Sequence, residues 1–236
     1  MTTYIKENKK TYDEAYENGW GNSYPDSMWV SLYHSKIKKL LNQEKKPIRV
    51  LDFGCSLGAN TRFFADLGFE VYGIDISEEA IKRCVEKNNF KKDNFIAIDL
   101  INDKKEIKDV FDVKFDIVFA SEVLYYFNEM DLNIILKQFN EAMTEDGIFC
   151  ATMVTFKNVK YENYRDAERV NGLIKIESNN TIEEALNANL INDFNDMKRL
   201  FDIFDCYGTY RCILEIDVEN EDLYYVGKKR MVEVEQ

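Results

Sequence analysis

The residues best suited to chemistry in this chain lie in VLDFGCSLGANT, residues 50 to 61. An apolar run ends in Asp52, and Gly54 and Gly58 then bracket a tight turn that opens a helix. Glycine lets the backbone turn sharply and lets a ligand approach it, while N–H groups at a helix start attract a carboxylate or phosphate. The loop departs from the GxGxxG of a nucleotide dehydrogenase, because Cys55, Ser56 and Leu57 separate its two glycines. Asp75 closes a second apolar run 21 positions after Gly54, where a carboxylate can accept hydrogen bonds from both hydroxyls of a ribose. The pattern points to an adenosine-bearing ligand.

Those side chains need a scaffold that holds strand ends side by side. Short apolar runs at 48–54, 70–76, 94–100, 115–121 and 147–154 alternate with helical patterns, which predicts an α/β fold with a mostly parallel sheet buried on both faces. Between the last two runs, Leu132, Ile135, Leu136, Phe139 and Met143 recur at helical spacing, with Gly147 as the stop. A second stripe, Phe194, Met197, Leu200, Phe201 and Phe204, precedes TYRCILEI, in which Tyr210, Cys212, Leu214 and Ile216 alternate. The acidic ENED then turns the chain into LYYVGKKR, which predicts a closing antiparallel pair at the sheet edge. The expected division is a single domain over 1–236: an N-terminal lid over 1–46, a ligand-binding core over 47–155, a substrate-side insertion over 156–192, and a C-terminal helix with edge strands over 193–236.

The 236 residues, 45% hydrophobic and 14% aromatic, suffice for a core without disulfides or metal. A net charge of -12 opposes the phosphate backbone and argues against nucleic acid as partner. The start MTTYIKENKKTYDE has no apolar signal core, and no later run approaches the roughly 20 apolar residues of a membrane span, so the expected location is cytoplasmic. Cys55, Cys84, Cys150, Cys206 and Cys212 lack the spacing of a metal site and read as buried free thiols.

At this point the chain resembles the class I S-adenosylmethionine (SAM) dependent methyltransferases. Their glycine motif, an acidic residue, one residue and a Gly-rich turn, matches Asp52-Phe53-Gly54-Cys55-Ser56-Leu57-Gly58, with Ser56 at the middle glycine. The likeness covers roughly 48 to 155. It implies a Rossmann-like seven-stranded sheet, mostly parallel, with helices on both faces and an antiparallel edge strand. It also implies that Gly54 and Gly58 line the methionine part of SAM, that Asp75 binds the ribose, and that Asp99 with Leu100 meets the adenine. Ser121 and Glu122 would lie beside the sulfonium. Asp52, Cys55 and Ile76 belong to the same expected cofactor site. Asp75 with Ser77, Glu78 and Glu79 is also an ordinary helix start, and Asp99 could serve only to cap a turn.

SAM chemistry needs a nucleophile aligned with the methyl group, with a general base if that nucleophile is an alcohol. Glu122 at a strand end is one candidate, although it could instead bond neighbouring backbone. His34, the single histidine, is another if its amphipathic helix forms a roof over the site. Tyr125 and Tyr126 suit either a cleft wall or a catalytic role. Tyr12 and Tyr16 are expected as a cofactor lid, since a ring face attracts a sulfonium. Tyr161, Tyr164, Arg165 and Arg169 would bind an anionic substrate or form a solvated helical face.

No Asn/Asp-Pro-Pro-Tyr run follows the fourth strand, a further argument against DNA modification. The decorated core looks similar to bacterial enzymes that tailor surface polysaccharides, which suggests a small soluble acceptor. A sugar hydroxyl or a phosphate- or phosphoramidate-type precursor in capsule biosynthesis is the expected example. Two alternatives stay open: a non-catalytic SAM-binding module or inactive partner subunit, and a nicotinamide-dependent oxidoreductase.

Overall fold

The computed structural model describes residues 3–42, 44–158, 161–176, 186–215 and 219–230. Five parallel strands form the centre of its main sheet: β1 (Arg49–Phe53), β2 (Glu70–Asp75), β3 (Phe95–Ala97), β4 (Phe115–Ala120) and β5 (Met143–Val154). A small antiparallel sheet follows, made of β6 (Arg169–Val170), β7 (Leu173–Ile176) and β8 (Leu186–Ala188). β9 (Phe204–Glu215) and β10 (Glu219–Lys229) complete the main sheet in the order β3-β2-β1-β4-β5-β10-β9. β10 runs antiparallel to both of its neighbours. The order reverses between β2-β1 and β4, and such a switch point opens a ligand crevice at the carboxyl ends of the strands.

The helices are α1 (Thr3–Glu17), α2 (Ser27–Leu32), α3 (Lys38–Leu40), α4 (Ala59–Asp66), α5 (Glu78–Asn88), α6 (Ile107–Val110), α7 (Glu129–Ala142) and α8 (Phe194–Leu200). Alternation along the strands sends side chains to two cores. Leu51, Phe53, Val118 and Phe149 meet Leu132, Ile135, Leu136 and Phe139 of α7 together with Met197 and Leu200 of α8. Val50, Ile117, Phe119, Ile148 and Cys150 meet Trp29, Leu32, Tyr33 and Ile37, along with Phe64 of α4 and Cys84 of α5. The α/β fold with a seven-stranded, mostly parallel sheet is as the sequence predicts.

Several local expectations give way to competing forces. α7, capped by the Asn128 side chain accepting from Asp131 N–H at 2.8 Å, stops at Ala142; Met143 is extended and Gly147 lies inside β5. Pairing of Met143 with Phe115 on β4 outweighs the local helical pattern. ENED, expected as a turn, is already strand, with Glu219 opposite Glu215; Ile216 lies outside the described residues. Among its described residues, the insertion carries a 3-10 turn, Glu162–Tyr164, and the β6-β7-β8 sheet where a helical face was one reading. Cys206 is exposed and Cys212 half-buried, whereas Cys55, Cys84 and Cys150 are buried.

The N-terminal segment divides in two. α1 reaches across to β8, where Asn8 Nδ2 donates to the Asn187 carbonyl at 3.0 Å and the Asn187 N–H donates to Asn8 Oδ1 at 2.8 Å. The amide of Asn8 thereby pairs with a strand edge as a peptide group would. The segment from α2 through the π-helical turn Tyr33–Ile37 to α3 packs on a sheet face and adds to the core. No helix among the described residues is long and apolar enough to cross a membrane.

Candidate active site

A cavity of about 430 Å³ lies at the carboxyl ends of β1, β2 and β4, within the span of roughly 300–1,000 Å³ usual for small-ligand sites. Its floor is the loop after β1. Gly54 and Cys55 N–H groups both donate to the Ile74 carbonyl, at 2.7 and 3.0 Å, which ties the turn to β2. Gly54 has φ +76, and a Cβ there would stand 2.7 Å from Val123, so both conformation and space require glycine. Ser56, at the family's middle glycine, takes φ +49, a left-handed conformation that costs an L-residue roughly 1–2 kcal/mol.

Asp75 holds this loop in place. Its Oδ2 accepts from Ser56 N–H and its Oδ1 from Ser77 N–H, each at 2.9 Å. The carboxylate keeps acceptor capacity for a hydroxyl donor. Burial raises its pKa, while the N–H groups of Ser77, Ser56 and Ile76 act the other way. Asp52 is more enclosed: Thr61 Oγ1 donates to its Oδ2 at 2.5 Å. Burial pushes Asp52 up to about 7, against the lowering effect of Thr61 and with the charge of Asp75 adding to the rise.

Ile76, Ile98, Asp99 and Leu100 form one end of the cavity. The Asp99 carboxylate accepts from Ile101 N–H, Asn102 N–H and Asn102 Nδ2, at 3.1, 3.0 and 2.6 Å, so it also fixes its own turn. At the other end stand Ser121 and Glu122, just beyond β4. Trp29 Nε1–H donates to Ser121 Oγ at 3.0 Å. Glu122 is exposed with φ +55, and its N–H donates to Thr152 Oγ1 at 2.5 Å. A non-glycine residue held in this conformation marks stored strain, a feature that clusters at functional sites.

Aromatic rings cover this end. Tyr12 and Tyr126 meet edge to face with centroids 5.4 Å apart and hydroxyls in contact, and Tyr126 Oη–H donates to Tyr125 Oη at 3.1 Å. Tyr16 and Trp20 lie beside Tyr12, at 6.1 and 5.6 Å between centroids. Burial raises the pKa of Tyr12, Tyr16, Tyr125 and Tyr126, so all four remain protonated at neutral pH. Tyr161, Ile176 and Leu186 complete the wall from the insertion.

Among the expected site residues, Tyr12, Tyr16, Asp52, Gly54, Cys55, Asp75, Ile76, Asp99, Leu100, Ser121, Glu122 and Tyr125 line this one cavity. Gly58 does not. It caps α4 with φ +79, where a Cβ would stand 2.6 Å from Cys84 Sγ, so its role is close packing. His34 does not line it either. It is exposed, with its ring against Tyr33 and Phe63, because its helix faces the sheet and α1 forms the roof. Arg165 is exposed, and Arg169 donates to the Gly172 and Leu190 carbonyls, so this pair does not gather at the cavity. Asn8, Trp20, Phe127, Ile176 and Leu186 join the lining without having been foreseen.

An adenosyl cofactor suits these residues. Asp75 can accept from a diol, the apolar slot of Ile76, Ile98 and Leu100 suits a flat base, and tyrosine faces suit a sulfonium.

A family model described as a methyltransferase domain matches residues 30–189. The chain is 46% identical over 55 residues to an uncharacterised methyltransferase of Schizosaccharomyces pombe, an alignment covering 23% of this chain and 38% of that one. It is 32% identical over 113 residues to the ubiquinone biosynthesis O-methyltransferase of Pelagibacter ubique, covering 46% and 43%. The chain thus spans less than half the length of these curated relatives. The fold is shared with the N-methyltransferase NodS of Bradyrhizobium japonicum, solved in complex with S-adenosylhomocysteine (SAH): TM-score 0.60 and 14% identity, over 93% of this chain and 98% of that one. On the family match, which takes in the glycine loop, Asp75 and the end of β4, this chain belongs to the methyltransferase-domain family.

Proposed function

We propose that this protein transfers the methyl group of SAM to a small acceptor held under α1 and the β6-β7-β8 sheet. The observation that carries the reading is that one cavity joins the Gly54 loop and Asp75 to Glu122 beneath a cover of tyrosines. SAM when bound supplies an activated methyl on a sulfonium. Asp75 would fix the ribose, the loop at Gly54 would take the methionine part, and the Asp99–Leu100 end would take the base. Trp29 fixes Ser121 at the end of β4, which would be the reacting end, and Glu122 beside it would take the acceptor proton. Tyr12 and Tyr126 would cover part of that end. Alignment of this kind can supply on the order of 7–11 kcal/mol of the barrier.

A capsule precursor carrying phosphate or phosphoramidate finds little support, since Arg165 and Arg169 stand away from the cavity. An oxygen acceptor, the expectation from the sequence, is favoured by the likeness to the ubiquinone biosynthesis O-methyltransferase. The test is incubation with methyl-labelled SAM and pools of small amines and alcohols, following SAH formation. SAH formed only when an acceptor pool is present supports transfer. Tight SAH binding with no turnover on any pool would favour the binding-module alternative.

A further inference from the structure

Resting on that cofactor reading, we propose that the acceptor atom is an amine nitrogen on a small molecule with an apolar or aromatic body, and that the acceptor chamber disfavours anions. The first observation is the sign of the charge around the cavity. Among the described lining residues, the acceptor end carries one carboxylate, Glu122, and the one cation of the lining, Lys9, is itself paired with Asp13 at 2.6 Å. A phosphate or carboxylate brought here meets repulsion, without an arginine fork to offset it.

The second observation is the ring cage. Tyr12, Tyr125, Tyr126 and Tyr161 line the cavity together with Glu122, and the charge of Glu122 acts on both Tyr12 and Tyr125. Ring faces attract an ammonium, and the linked hydroxyls of Tyr12, Tyr126 and Tyr125 can accept its N–H groups. Ile5, Ile176 and Leu186 supply apolar wall beyond the cage for the rest of the molecule.

The third observation concerns bases. An alcohol acceptor calls for a strong base in the transition state, whereas the chamber offers one carboxylate among tyrosines that stay protonated. An amine needs only to arrive neutral. Its ammonium form gives one proton to Glu122, which passes it to solvent on its exposed side. The neutral nitrogen then forms the N–C bond while the C–S bond breaks with its electron pair staying on sulfur, and the product leaves as a methylammonium. One proton is released per turnover, and the charge balances.

The experiment is a calorimetric titration of SAH-saturated protein with benzyltrimethylammonium chloride and, separately, with benzyl phosphate. The cation is expected to bind at least about tenfold more tightly than the phosphate. Glu122→Gln should reduce that preference by about tenfold while SAH still binds as in the wild type, which also shows that the variant folds. Benzyl phosphate binding as tightly as the cation would overturn the proposal. So would binding of neither probe to protein that still binds SAH. Failure of SAH itself to bind would instead remove the cofactor reading on which the proposal stands.

Discussion

The indole N–H of Trp29 donates to Ser121 Oγ at 3.0 Å across 92 positions of sequence. Trp29 is also wedged edge-on between Phe119 and Tyr224, so the β4 end of the cavity is anchored in the core beneath the sheet. The end of β4 is therefore held stiffly, while the cover above it, α1, rests on a small separate cluster of Tyr4, Ile5 and Leu173, on the Tyr12 ring and on polar contacts such as those of Asn8. The same division of labour appears in the behaviour expected of individual variants.

Glu122 and His34, the two base candidates, should separate cleanly. Glu122→Gln is expected to lower turnover by roughly 10²–10⁴-fold with SAH affinity retained, because the proposed mechanism gives the acceptor proton to its carboxylate, which lines the cavity. His34→Asn should leave turnover within about twofold, since an exposed side chain outside the cavity contributes little. Steady-state kinetics on both variants, with SAH titrations as a control, decide this. A large loss in His34→Asn would contradict the placement of the roof.

Gly54 and Val123 form a pair that can be tested by a double-mutant cycle. Gly54→Ala forces a Cβ to 2.7 Å from Val123 on a backbone with φ +76, and should destabilise the fold by roughly 1–3 kcal/mol. Val123→Ala in the same chain should recover part of that loss by opening space. Denaturant unfolding of the four proteins measures the coupling, and strict additivity would mean that the contact does not matter.

Asp52 gives a pH dependence of defined sign. Its pKa is raised in the folded state, so its contribution to stability is complete below the ordinary carboxylate range and is lost as pH rises through about 7. The ligand-free protein should therefore be less stable at pH 8.5 than at pH 5, with Asp52 accounting for at most roughly 3 kcal/mol of the difference. Asp75, whose pKa is also raised, acts in the same sense. Asp52→Asn should shrink the difference without abolishing it. Urea melts at the two pH values provide the check, and an unchanged difference would show that Asp52 titrates normally.

Asn8 ties α1 to β8 through two hydrogen bonds with the backbone of Asn187. Asn8→Leu is expected to speed amide exchange in residues 3–17 while leaving β1 and β4 protected, since the roof contributes little to the sheet cores. Hydrogen exchange read by mass spectrometry would show this. Equal loss of protection in β4 would mean that α1 and the sheet open as one unit.

The sheet and the cofactor end are legible in the sequence because they obey local rules. Strands buried on both faces read as apolar runs, and a glycine loop followed by Asp75 is a short, fixed pattern. The acceptor end is harder to read, because its walls come from α1, the turn after β4 and the insertion, which only tertiary packing brings together. Asn8 looks like any polar helix residue until β8 is placed beside it. His34 looked available because an amphipathic helix does not announce which surface it covers. Met143 fits the helical stripe of α7 equally well, yet pairing with Phe115 draws it into β5.

The most direct test of the central claim is calorimetric titration of the purified protein and its Asp75→Ala variant with SAM, SAH and NADH. The predicted result is micromolar binding of SAM and SAH, no binding of NADH, and a loss of roughly 1–3 kcal/mol in the folded variant, where hydroxyl donors lose their acceptor. Binding of NADH in place of the adenosyl ligands, or unchanged SAH affinity in folded Asp75→Ala, would contradict the account.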